Sequence, residues 1–125
     1  MKPNLLVSCT AVIYALPGLA LTFAADEATA GLGAAPSPWL SWFGQLLGAA
    51  LLGLAFANWF QRFSAVGGIY GRPLLMTNLI FTMTSSFASL AAWRHHGGQV
   101  FAIAAITLGA LAAAFGSRLF RPARA

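Results

Sequence analysis

Carboxylates are almost missing from this chain: Asp26 and Glu27 are the only acidic residues among 125, and they are neighbours. A separated pair of acids for general acid–base chemistry is thereby excluded. Charge of either sign is scarce, at 7% of residues, where a soluble domain carries about 25%. That excludes an ordinary water-soluble globule. Cysteine occurs once, as Cys9, which rules out an internal disulfide and any paired-cysteine redox or zinc site. The two histidines, His95 and His96, are adjacent. On a helix they diverge by about 100° and cannot grip one metal from one face. Neither lies within an apolar run, so no axial histidine for a membrane-embedded haem is available.

What the chain has is apolar surface: 59% of residues are hydrophobic and the mean hydropathy is +0.78. Four runs, 5–25, 40–60, 74–93 and 100–120, each approach the roughly 20 residues needed to cross a hydrocarbon core of about 30 Å. They use most of the length and leave no room for a separate soluble domain. The expected fold is all-α, a four-helix transmembrane bundle, with residues 1–125 as one transmembrane domain. Lys2 ahead of the first run resembles the n-region of a signal peptide, but the run exceeds the usual 7 to 15 residues and Thr22 with Ala24 make an indifferent cleavage site. An uncleaved helix is the better reading. Leu6, Val7, Ser8 and Cys9 spell a lipobox-like tetrad, yet it sits too near the start and is followed by a long apolar stretch. Pro17 and Gly18 fall near the middle of this span, where proline removes one backbone donor. The connector over 28–38, rich in Ala, Gly, Ser and Pro, reads as irregular.

Trp39 and Trp42 mark one end of the second span, Trp59 the other, and Trp93 closes the third, as amphipathic rings at headgroup depth should. With four spans, the termini and the middle connector share one side. That side collects Lys2, Arg62, Arg72, Arg118, Arg121 and Arg124, and only Arg94 stands opposite, beside Asp26 and Glu27. The asymmetry places both termini in the cytoplasm of a bacterial inner membrane. It accounts for the net charge of +5 through anionic headgroups rather than nucleic acid, at about 1 kcal/mol per basic residue. Arg62, Arg72, Arg118, Arg121 and Arg124 are the expected lipid-holding residues.

Periodicity singles out two kinds of helix face. In the third span Asn78, Thr82, Ser85 and Ser89 share one narrow side, with Ser86 beside them, while Met76, Ile80, Met83, Phe87 and Leu90 lie opposite. Such a stripe serves interhelical hydrogen bonding or lines a path for an ion or small neutral solute. Packing is favoured of the two. The other kind is made of small residues: Gly44 and Gly48 in a GxxxG, Ala49, Gly53 and Ala57 on nearly the opposite side of the same span, and Ala102, Ala105, Gly109, Ala113 and Gly116 in the fourth. Small residues let backbones approach, so Gly44, Gly48, Gly53, Gly109, Ala113 and Gly116 are the expected packing positions. They point to a homo-oligomer or a partner membrane protein. Gln45 and Asn58 stand near the ends of the second span and read as interfacial.

The run Gly67, Gly68, Ile69, Tyr70, Gly71, Arg72 and Pro73 lacks the ending of a P-loop and the spacing of a dinucleotide site. It reads as a turn before a helix begun by Pro73. The run, continuing into Leu74, Leu75 and Asn78, is similar to a loop of small bacterial four-span membrane proteins, a resemblance that implies location and no activity. The length and span plan resemble those of small multidrug exporters and fluoride channels. The exporters rely on a glutamate within the first span, and 5–25 holds no acid. The channels carry an N-terminal arginine motif missing here, and Asn78, Phe81, Thr84 and Phe87 only faintly resemble their polar and phenylalanine positions. No residue role carries over from either.

No Asp, Glu, Lys, Arg or His lies inside the four cores, although proton-coupled carriers depend on such groups. No catalytic, cofactor or metal residues are assigned. The expected function is a non-enzymatic accessory or structural membrane protein that packs with itself or a partner. The alternative is a small channel or facilitator lined by the polar face of the third span.

Overall fold

The computed structural model describes residues 2–63 and 71–121. Five helices follow in order: α1 (Leu5–Phe23), α2 (Ala25–Gly31), α3 (Pro38–Phe60), α4 (Gly71–His96) and α5 (Gln99–Leu119). No strand occurs among the described residues. All but α2 are long and apolar enough to cross a membrane, so the protein is all-helical with the character of a multi-pass membrane protein. The second, third and fourth spans correspond to α3, α4 and α5. Helices α3 and α4 start two or three residues before the apolar runs, because backbone hydrogen bonding continues where side chains turn interfacial.

By internal contacts the chain forms two compact units, Met1–Phe63 and Ser64–Ala125. In the first, Asn4 begins α1 by accepting a hydrogen bond from the Leu6 amide at 3.1 Å, satisfying one of the orphan donors of a helix start. The helix runs on through Pro17. It breaks at Ala24 (φ −141°, ψ 48°), and α2 follows where an irregular connector was expected from 28 onward. The reason is local: the segment is rich in alanine, and Asp26 and Glu27 lie in its first turn, where acids favour the positive end of the helix dipole. Ser37 and Pro38 then open α3, with proline in a first-turn position that needs no amide.

Helices α1 and α3 are antiparallel. The Asn4 amide donates to the Arg62 carbonyl at 2.6 Å, Gly18 faces Leu51 and Leu52, and Thr22 faces Gly48. Val7, Thr10, Ala11, Tyr14 and Gly18 are buried on one helix, and Gly48, Leu51, Ala55 and Asn58 on the other. Each set recurs at three and four residues, the signature of one helix face.

In the second unit, α4 buries Leu74, Leu75, Asn78 and Thr82, and α5 buries Leu111 and Phe115. A two-residue turn, Gly97 and Gly98 at φ +67° and +103°, sends α5 back along α4. Gly109 lies against Ser86, and Gly116 against Leu79. Positive φ at both turn positions is what glycine supplies without a Cβ clash.

Candidate functional site

Among the described residues, most side-chain hydroxyls and amides of the spanning helices turn back onto their own backbone. Thr10 donates to the Leu6 carbonyl at 2.8 Å, Thr22 to Gly18 at 2.7 Å, and Thr82 to Asn78 at 2.6 Å. Ser89 donates to the Ser85 carbonyl at 2.8 Å. The amide nitrogens of Asn58 and Asn78 donate to Leu54 and Leu74 at 2.8 and 2.9 Å. A polar group without water must find such a partner, and the carbonyl one turn earlier is the nearest one.

Along the stripe of α4, Asn78 and Thr82 are fully buried, and Ser85, Ser86 and Ser89 are half-buried. Ser86 is different from its neighbours. Its hydroxyl crosses to α5 and donates to the Ala105 carbonyl at 2.8 Å, and Gly109 leaves the space, since a Cβ there would stand 3.1 Å from the Ser86 oxygen.

The small-residue strips divide by what they touch. A Cβ on Gly48 would meet the Thr22 hydroxyl, the Thr22 amide and the Gly18 carbonyl at 2.7, 2.8 and 2.9 Å. Gly44 lies 3.6 Å from Ala25 by the same measure. That side of α3 is therefore taken up by α1 and the start of α2. Ala49 and Gly53 are exposed, and a Cβ on Gly53 meets nothing within 4 Å. On α5, Gly109 and Gly116 adjoin α4, whereas Ala113 is exposed.

Each unit holds most of its described cations at one end. In the first, the Asn4–Arg62 pairing brings Lys2 and Arg62 to the end opposite Asp26 and Glu27. The Arg62 guanidinium lies 3.9 Å from the Trp59 ring centroid and 4.5 Å from that of Phe63. In the second, Arg72 and Pro73 share a cavity of about 430 Å³ with Met76, Leu119 and Phe120, and exposed Arg118 and Arg121 flank it in sequence. Arg94, His95 and His96 end α4 at the far side. A cation beside an apolar notch suits a phosphate whose tails lie in hydrocarbon. Arg124, and Gly67 to Tyr70 of the glycine run, lie outside the described residues.

Among the described residues no three His, Cys, Asp or Glu side chains come together. Asn58, expected to be interfacial, is instead fully buried, because it shares the α3 face of Gly48, Leu51 and Ala55. Tyr14, which the sequence did not single out, is the largest side chain with almost no exposure. Their spacing was the available clue, Asn58 from Gly48, Leu51 and Ala55, and Tyr14 from Val7, Thr10 and Gly18. Compared with family models, curated proteins and solved structures, the chain finds no match.

Proposed function

We propose that the protein is a non-enzymatic accessory or structural component of a bacterial inner membrane. Its four spanning helices form a bundle with both termini in the cytoplasm, pack with a second copy or another membrane protein, and hold anionic lipid at their cytoplasmic ends. The observation that carries this reading is the division of α3. Its Gly48 side is filled by α1, while Ala49 and Gly53 remain exposed. In lipid, helix association is driven by close van der Waals packing, which a bare strip of small residues offers to a second helix.

The ends of the units support the orientation. Arg62 with Lys2, and Arg72 with Arg118 and Arg121, mark the ends that the positive-inside rule assigns to the cytoplasm. The α4 stripe supports a packing role, because Ser86 bonds the α5 backbone and Thr82 and Ser89 bond their own helix.

Native mass spectrometry of the protein extracted gently from its own membranes tests the reading. The wild type should carry a second copy or a stoichiometric foreign subunit, and Gly53→Leu should lose it with helix content unchanged. A wild type that runs as a single chain without a partner overturns it.

A second reading, the small channel or facilitator, is favoured by one observation: Ser85 and Ser89, on the polar stripe of α4, keep exposed surface. Liposomes loaded with potassium chloride or glycerol separate the two. Flux abolished by replacing Ser85 and Ser89 with alanine supports the channel, and wild-type liposomes as tight as empty ones reject it for these solutes.

A further inference from the structure

We infer that the α1–α3 unit carries a seat for one anionic phospholipid, with an acyl chain in an apolar trough between the two helices and the phosphate at Arg62. This deepens the lipid-holding part of the proposed function and rests on the helices lying in a bilayer.

The trough arises from a step in side-chain size. Its floor is alanine: Ala11 and Ala55 are buried and Ala15 is half-buried. Beside that floor Val12 and Leu19 rise from α1, and Phe56 and Trp59 from α3, all of them exposed. The space is about 430 Å³ and every residue lining it is Ala, Val, Leu, Phe or Trp, so nothing in it bonds a polar solute. On α3, from the basic end inward, the lining runs from Trp59 to Leu52, about 10 Å at 1.5 Å per residue. One leaflet's hydrocarbon is about 15 Å deep, half of the full core. A chain of methylenes entering beside Trp59 fits the near part of the trough, along Ala11, Ala15, Ala55 and Phe56, and matches its direction and chemistry.

The basic end distinguishes this trough from ordinary lipid-facing surface. Trp59 lines it there, and Arg62 lies over the Trp59 ring while its Nη1 donates to the Trp59 carbonyl at 2.5 Å. The cation is thus held over the mouth before any ligand arrives, which lowers the ordering cost of binding. The Asn4 amide bonds the Arg62 carbonyl, which brings Lys2 to the same end, while Asp26 and Glu27 lie at the other. A guanidinium fork suits phosphate oxygens, and the local charge selects an anionic over a zwitterionic headgroup.

The full chain in nanodiscs of mixed phosphatidylglycerol and phosphatidylcholine, released for native mass spectrometry, provides the test. The wild type should retain one phosphatidylglycerol per chain. Arg62→Gln should lower the preference for it about five-fold, and Ala15→Trp, which fills the trough, should lose bound lipid of either kind. A variant with Trp59 as the sole tryptophan, its trough intact, gives an independent measurement: acyl-brominated phosphatidylglycerol should quench its fluorescence more than the brominated phosphatidylcholine. Equal quenching by the two overturns the seat. A preference that survives Arg62→Gln but falls with Arg72→Gln and Arg118→Gln overturns the seat and leaves the lipid-holding reading standing. No preference in any variant overturns both, and a protein chain released by Ala15→Trp puts a helix in the trough instead of lipid.

Discussion

The two helix pairs keep their partners together by different means. In Met1–Phe63 the closest approach is between backbones: at Gly48 a single added methyl group would run into the Thr22 amide and the Gly18 carbonyl. In Ser64–Ala125 the approach is looser, and a hydroxyl bridges it, Ser86 to the Ala105 carbonyl, with Gly109 giving that hydroxyl room. The connections differ as well, a seven-residue helix and a loop in the first unit and a pair of positive-φ glycines in the second. Lipid is as apolar as leucine, so neither pair gains much from apolar burial between helices. What remains is contact distance in one case and a directed bond in the other. A glycine therefore has a different meaning in each unit: at Gly48 it admits a backbone, and at Gly109 it admits a side chain.

Substitutions at these points would break or sharpen the contrast. The largest effect is expected at Gly48. Gly48→Ala should destabilise the first pair by about 1–3 kcal/mol, and Gly48→Leu should prevent it from forming, as followed by circular dichroism during titration with sodium dodecyl sulfate. If Gly48→Ala unfolds with the wild type, the backbone contact is not what holds this pair. Next is Gly98→Ala in the turn of the second unit, at φ +103°, where strain of about 1–3 kcal/mol is expected and the first pair should be unaffected. Smaller again is Ser86→Ala, expected to cost about 0.6 kcal/mol and at most about 1.7. Gly109→Ala disturbs the same hydroxyl, so the double variant should cost less than the two singles together; strict additivity would mean that the glycine does not serve the serine. The smallest is Gly53→Ala, whose methyl group meets nothing within the chain and which should alter the stability of the first pair itself by no more than about 0.5 kcal/mol. That makes it the control for Gly48.

Much of this architecture was legible in the order of residues. Apolar runs near 20 residues, tryptophans at their ends and arginines beyond them marked four spans because hydrocarbon thickness imposes a length and water imposes an edge. The α4 stripe was legible in its period, since Asn78, Thr82, Ser85 and Ser89 recur at three and four residues. The cations at the ends of both units followed from span alternation alone.

The partner of each face was not legible. The GxxxG of Gly44 and Gly48 and the strip of Ala49 and Gly53 are equally good packing surfaces by composition, and only their distances from Thr22 and Gly18 tell that the first is occupied and the second bare. Nor could a list of residues tell that Ser86 reaches α5 while Ser89 bonds its own helix, since one turn of register decides which carbonyl is nearer. Asn58, read as interfacial, is fully buried, because proximity to a helix end says nothing about which face a residue occupies. The sequence by itself determined how many times the chain can cross a bilayer and which helix faces are polar or small, because solvent acts on composition and period. The tertiary structure decided which faces meet within each pair and where an apolar trough is left beside Arg62, because those depend on register and on the size of side chains brought together from distant positions.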